Sequence, residues 1–134
     1  MKLMLTLVLF SFSALVFAQE DAAAKVSWAI ENGDALTLQD MMMSSVDLSI
    51  LDDEDMYPAD EAVRKLSSFF KQHPPQSFTV KHKGTSKLDD HYRIGTLQTK
   101  KGTFRVTFFL KKTPSGMMIK QIRIEEDEDW FSYK

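Results

Sequence analysis

PQSFTVKHKGTSKLDDHYRIGTLQTKKGTFRVTFFLKKTPSGMMIKQIRIE, residues 75–125, is the stretch that decides the fold. It reads with period two, and a strand places successive side chains on opposite faces of its sheet. Phe78, Val80 and His82 alternate with Thr79, Lys81 and Lys83, while Phe104, Val106, Phe108 and Leu110 make the cleanest run. Turn-forming residues divide the stretch at Lys87-Leu88-Asp89-Asp90, Lys100-Lys101-Gly102 and Thr113-Pro114-Ser115-Gly116. Four strands at such short, regular separation predict an antiparallel meander.

Upstream of Pro75 the period changes to 3.6. Pro58 suits a first helical turn, Asp60 and Glu61 complement the positive end of the helix dipole, and His73-Pro74-Pro75 stops the helix. Between them Ala59, Ala62, Val63, Leu66, Phe69 and Phe70 recur at spacings of three and four. A first helix is predicted over 20–32, with Ala22, Val26, Ala29 and Ile30 on one face and Asn32-Gly33 as its end. Asp34 is then expected to cap a second short helix with Leu38, Met41 and Met42 as its apolar stripe. Val46, Leu48 and Ile50 alternate with Asp47 and Ser49 as a short strand, and Asp52-Asp53-Glu54-Asp55 reads as a solvated turn. Helix, helix, strand, long helix and meander make an α+β order, with helices packed on one face of a sheet.

That order resembles the cone-shaped nuclear-transport-factor-2-like (cystatin-like) fold. More narrowly, the chain resembles the exported bacterial proteins grouped as domain of unknown function 4783. The matching stretches are Ala29-Ile30-Glu31-Asn32-Gly33-Asp34, Val46-Asp47-Leu48-Ser49-Ile50, Phe69-Phe70 before Pro74-Pro75, His82-Lys83-Gly84, Tyr92-Arg93-Ile94-Gly95-Thr96-Leu97 and Gln121-Ile122-Arg123-Ile124-Glu125. The resemblance implies N-terminal helices on a curved four-stranded antiparallel sheet, with a pocket at the wide end of the cone. It implies no activity.

Residues 1–18 read as a secretory signal peptide: Lys2, an apolar run from Leu3 to Phe17, and Val16-Phe17-Ala18 as the cleavage pattern. That run of about 16 residues is shorter than the roughly 20 of a membrane span, and Gln19-Glu20-Asp21 follow it rather than a basic cluster. Cleavage near Ala18–Gln19 would leave one domain, 19–134, periplasmic or secreted, with 125–134 as its tail and no integral span. The chain has no cysteine, which excludes a lipidated N-terminus, thiol nucleophiles, zinc fingers and iron–sulfur clusters. Charge is segregated. Residues 19–72 carry 4 basic and 12 acidic side chains, residues 73–124 carry 11 and 2, and the tail is acidic again. Export makes nucleic acid an unexpected partner for the basic segment, and leaves envelope proteins, anionic glycans or lipid headgroups.

Catalytic signatures are missing. No Gly-x-Ser-x-Gly elbow or glycine-rich phosphate loop is present. The acidic stretch lacks the glycine of a calcium loop, and His73, His82 and His91 lack metal-ligand spacing. No catalytic, cofactor-binding or metal-ligating set is therefore assigned. Parity with Phe78, Val80 and Ile94 would point His82, Tyr92, Thr96 and Gln98 into the cone, where His82 and Tyr92 would line a pocket able to polarise a carbonyl or move a proton. Trp28, off the main stripe of its helix, either lines that pocket or is partly exposed. Met41-Met42-Met43 is either an adaptable surface or core.

The same parity places Lys81, Lys83, Arg93, Leu97, Arg105, Thr107, Phe109, Ile119, Gln121 and Arg123 on the outer face. Leu97, Phe109 and Ile119 among basic residues suggest association, and Arg93, Leu97, Arg105, Phe109, Ile119 and Arg123 are the candidate interface. Three occupants compete for it: a second copy, as the resemblance implies, an envelope protein, or the chain's own tail with Trp130, Phe131 and Tyr133. The expected function is a non-enzymatic binding or assembly module, with a small apolar ligand as a further option for the cone. The competing expectation is a small isomerase-, dehydratase- or hydrolase-like enzyme using His82 and Tyr92.

Overall fold

A computed structural model describes residues 20–127. The predicted signal peptide and the aromatic end of the tail lie outside the described residues. Helix α1 spans 20–31 and α2 spans Ala35–Asp40. Strands β1, Met42–Ile50, and β2, Asp53–Pro58, precede helix α3, Ala59–Gln72. The chain then runs through β3, Pro75–Thr85, β4, His91–Thr99, β5, Gly102–Thr113, and β6, Gly116–Glu126.

Local chemistry sets the helix ends. Gly33 takes φ +63°, a left-handed conformation that glycine adopts without a Cβ penalty. Around it Asn32 N donates to Trp28 O at 3.0 Å and Asp34 N donates to Ala29 O at 2.8 Å, which closes α1. Asp34 then caps α2 by accepting from Thr37 N at 3.1 Å and Thr37 Oγ1 at 2.7 Å. Those two bonds, the hydroxyl's first, hold its carboxyl below the ordinary carboxylate value. The apolar face of α3 buries Ala62, Val63, Leu66, Phe69 and Phe70.

The sheet has six strands in the order β2-β1-β6-β5-β4-β3, and it is mixed rather than a four-stranded antiparallel meander. The meander from β3 to β6 is present, but β1 lies parallel beside β6 with Leu48 opposite Ile122 and Ile50 opposite Ile124. The acidic stretch expected to be a turn is mostly strand β2, antiparallel to β1. It forms a sheet edge, where charged side chains tolerate exposure and discourage further pairing. Helix α2 ends at Asp40, so of its expected stripe only Leu38 lies in the helix, Met41 is its C-cap and Met42 is the first residue of β1.

Two of the sheet's register shifts decide the faces of expected site residues. The β3–β4 pairing shifts between Val80 and His82, so Val80 faces Gly95 whereas His82 faces Ile94. The β5–β6 pairing shifts between Phe109 and Leu110, so Ile119 joins Ile122 and Ile124 on the same face. One extra residue in a strand reverses all parity beyond it. The inner face therefore carries Leu97, Phe104, Val106, Phe108, Leu110, Ile119, Ile122 and Ile124, all buried in one core with Val26, Ile30, Leu38 and Leu66 of the helices. Gly95 is the close approach in this packing. A Cβ there would sit 2.6 Å from the Phe78 ring and 2.7 Å from the Thr79 carbonyl oxygen.

Candidate functional site

The outer face of the sheet is built from rows of paired residues, two of which cross all six strands. One row runs Gly84, Tyr92, Phe109, Gln121, Asp47, Met56. Tyr92 and Phe109 pack with ring centroids 5.6 Å apart, and the Tyr92 ring lies across Gly84, where a Cβ would meet its hydroxyl at 2.6 Å. The next row runs His82, Ile94, Thr107, Arg123, Ser49, Glu54. In it Arg123 Nη2 makes a long contact of 3.5 Å to Glu54 Oε1. Arg123 Nε is covered and has no hydrogen-bond partner among the described residues, although the side chain as a whole is 41% exposed. A third row pairs Thr79, Thr96, Arg105 and Glu125.

A groove of ≈ 790 Å³ lies between the second and third rows. Lys81, His82, Ile94, Thr96, Arg105 and Thr107 line it, together with Glu125 and Asp127. The face thus passes from an aromatic pair at one end to charges of both signs at the other. An apolar aromatic pair lies beside a polar and charged border on this face.

Several expected site residues lie elsewhere. Arg93, Leu97 and Ile119 point inward and not to the outer face. Leu97 and Ile119 are 0% exposed, and Arg93 is held by Tyr92 O at 3.0 Å and Glu20 Oε1 at 3.5 Å. Conversely, His82 and Tyr92 face outward and not into the cone, as do Ile94 and Thr96 beside them. The two shifts of register account for His82 and Ile119. On β4 the error is one of parity, because Ile94 and Leu97 fall on opposite faces and Leu97 is the one that packs against the core. Arg105, Phe109 and Arg123 lie on the outer face. Trp28 is 54% exposed on α1.

Met41 and Met42 are buried and Met43 is half-buried. His73 closes α3, stacked on Phe69 at 4.6 Å. Among the described residues no group of three or more His, Asp or Glu side chains converges to hold a metal. No helix among them is long and apolar enough to cross a membrane.

Sequence reading missed a second polar cluster, on the helix side of the β2 edge. Tyr57 donates its hydroxyl to Asp53 Oδ1, Lys65 Nζ lies 2.9 Å from Asp53 Oδ2, and the ammonium sits 4.7 Å from the centre of the Tyr57 ring. The Tyr57 hydroxyl, with Lys65 second, lowers the Asp53 pKa, and the hydrogen bonds to Asp53 raise those of Tyr57 and Lys65. No spacing in the sequence announces this cluster. It exists because β2 pairs with β1 beside α3.

The architecture is that of the NTF2-like class. An NTF2-like family protein from Streptomyces avermitilis superposes with a TM-score of 0.62 at 14% identity, covering 85% of this chain and 97% of its own. Residues 23–125 match the family described as "Domain of unknown function (DUF4783)", and the chain belongs to that family. A family protein from Bacteroides ovatus is 32% identical with a TM-score of 0.71, covering 77% of this chain and 93% of its own. Another, from Bacteroides uniformis, is 31% identical at the same TM-score, covering 77% and 94%. No curated protein matches the chain.

Proposed function

We propose that the chain is an exported, non-enzymatic binding or assembly module whose working surface is the outer face of the sheet. One observation carries this reading. The Tyr92–Phe109 pair stands on a half-buried face beside Arg123, whose covered Nε has no acceptor among the described residues. The Arg123 side chain as a whole is 41% exposed and its contact to Glu54 is long, at 3.5 Å, so the accessible part of the guanidinium can also donate to a docking partner's carbonyl or carboxylate. Aromatic and arginine side chains at the centre of a patch are also the residue types that dominate contact energies. The leader-like residues 1–18 support export, with the partner a second copy or an envelope protein.

The catalytic alternative, an isomerase-, dehydratase- or hydrolase-like site built on His82 and Tyr92, has weaker support. Both side chains stand on an open sheet face rather than in a water-excluding pocket, and general acid–base work gains most where water is excluded.

Sedimentation of the purified protein and native pull-down from the envelope test the binding reading. The wild-type chain should self-associate or retain a defined partner, and Phe109→Asp should abolish this while the melting temperature stays within a few degrees. A strictly monomeric protein whose partners are unchanged by Phe109→Asp would refute it.

A further inference from the structure

Away from the outer face, a hollow of ≈ 250 Å³ opens where the β1–β2 turn meets the C-terminal half of α3. Lys65, Ser68, Gln72 and His73 line it from the helix, at spacings that place them on one stripe. Ile50, Leu51 and Asp53 face them from the turn. The hollow is smaller than the roughly 300–1,000 Å³ of sites for drug-sized ligands, so its occupant is a single small ring or less.

Charge narrows the class of occupant. Asp53 and Lys65 neutralise one another at 2.9 Å, so the hollow presents no uncompensated charge from this pair to capture an ion. An ionic ligand would have to break that pair to replace it. Hydroxyl groups would not. A carboxylate has about four acceptor sites, of which Tyr57 and Lys65 take two, and the Lys65 ammonium has three donors, of which Asp53 takes one. A hydroxyl can therefore donate to Asp53 while its neighbour accepts from Lys65, with the ion pair intact. The lowered pKa of Asp53 keeps it an ionised acceptor across the neutral range.

The remaining walls suit the same chemistry. The His73 ring is fixed by stacking on Phe69 at 4.6 Å and by its edge-on contact with Phe104 at 5.0 Å. Its Nδ1 lies 3.3 Å from Phe69 O, so the tautomer that donates there leaves Nε2 as an acceptor. Leu51 takes φ 56°, a left-handed conformation that bulky residues rarely adopt and that tends to accumulate at ligand clamps. Its N–H donates to Ile124 O at 2.9 Å, which pins the turn and holds Ile50 and Leu51 as an apolar wall. Polar groups along one side and an apolar wall on the other match a ring with hydroxyls on its rim and C–H bonds on its faces.

We propose that this hollow binds a neutral polyhydroxylated ring the size of one sugar residue, with Asp53, Lys65 and Gln72 as its principal hydrogen-bonding groups.

The test is an NMR titration of the purified protein with D-glucose and D-galactose, using glucosamine and glucuronate as charged controls. A neutral hexose should shift the amides of residues 50–53 and 65–73 with a dissociation constant on the order of millimolar. Lys65→Met should weaken binding at least tenfold, and Gln72→Leu, at an exposed helix position, provides the same readout should Lys65→Met unfold. Charged sugars should bind no more tightly than neutral ones. Absence of localised shifts with both hexoses, unchanged affinity in the folded variants, or tighter binding of glucuronate or glucosamine would each overturn the proposal.

Discussion

Phe108 and Phe109 are adjacent in sequence and belong to different worlds. Phe108 is 0% exposed, packed on the inner face with Leu97, Ile122 and the helices, whereas Phe109 stands on the outer face against Tyr92. The same contrast holds along the whole sheet. Its inner face is mainly apolar, with Arg93 and Thr99 as buried polar members on β4, and its outer face is a set of mixed rows that end in charges of both signs. A sheet covered by helices on one side buries that side to stabilise the fold and leaves the other available for contacts that folding does not require. The two faces can therefore be told apart by what their loss costs.

The largest expected effect is Phe108→Ala, which should cost about 3–5 kcal/mol in urea unfolding, while Phe109→Ala should cost about 1 kcal/mol. Equal costs would break the assignment of faces. Gly95→Ala should come next, at about 1–3 kcal/mol, because the added methyl meets the Phe78 ring and the Thr79 carbonyl oxygen below ordinary contact distance. A neutral result in thermal unfolding would mean that Phe78 does not lie over the inner face.

Smaller again is Asp34→Ala, expected to cost about 1 kcal/mol through loss of the α2 cap, with the outer face unaffected. It is a control for damage confined to the helix side.

The smallest effect is the pH dependence of the Asp53, Tyr57 and Lys65 cluster, which is exposed and screened by solvent. Asp53 titrates below its ordinary 3.8, so its contribution is present above that value and fades as pH falls through the lowered one. Tyr57 and Lys65 are raised above 10.0 and 10.5, so theirs is present below those values and fades as pH climbs through the raised ones. The stability difference between wild type and Asp53→Asn, followed by denaturation against pH, should be flat across the neutral range and shrink at both ends.

Much of the fold was legible because its signals are local. The face of α3 is written in Ala62, Leu66, Phe69 and Phe70, the end of α1 in Asn32-Gly33, and the meander in its alternation and turns. The outer face was legible only in part. Arg105, Phe109 and Arg123 follow from simple alternation along uninterrupted strand. Arg93, Leu97, Ile119, His82 and Tyr92 do not, because Ile94 and Leu97 give β4 two competing parities and because the shifts after Val80 and at Phe109–Leu110 carry no residue signature. The Asp53–Tyr57–Lys65 cluster was invisible for a different reason. An acidic run without alternation looks like a solvated turn until a partner strand is beside it.

By itself, the sequence determined the helices, the caps and the meander, since each depends on interactions within a few residues: a 3.6-residue stripe, a side chain bonded to a nearby N–H, a glycine at positive φ. Only the tertiary structure decided that β1 lies parallel to β6, that β2 is a strand at all, and which side chains of β3, β4 and β6 reach the core. Those outcomes depend on partners distant in sequence. In a sheet the partner's register, and not the strand's own pattern, settles which face is buried.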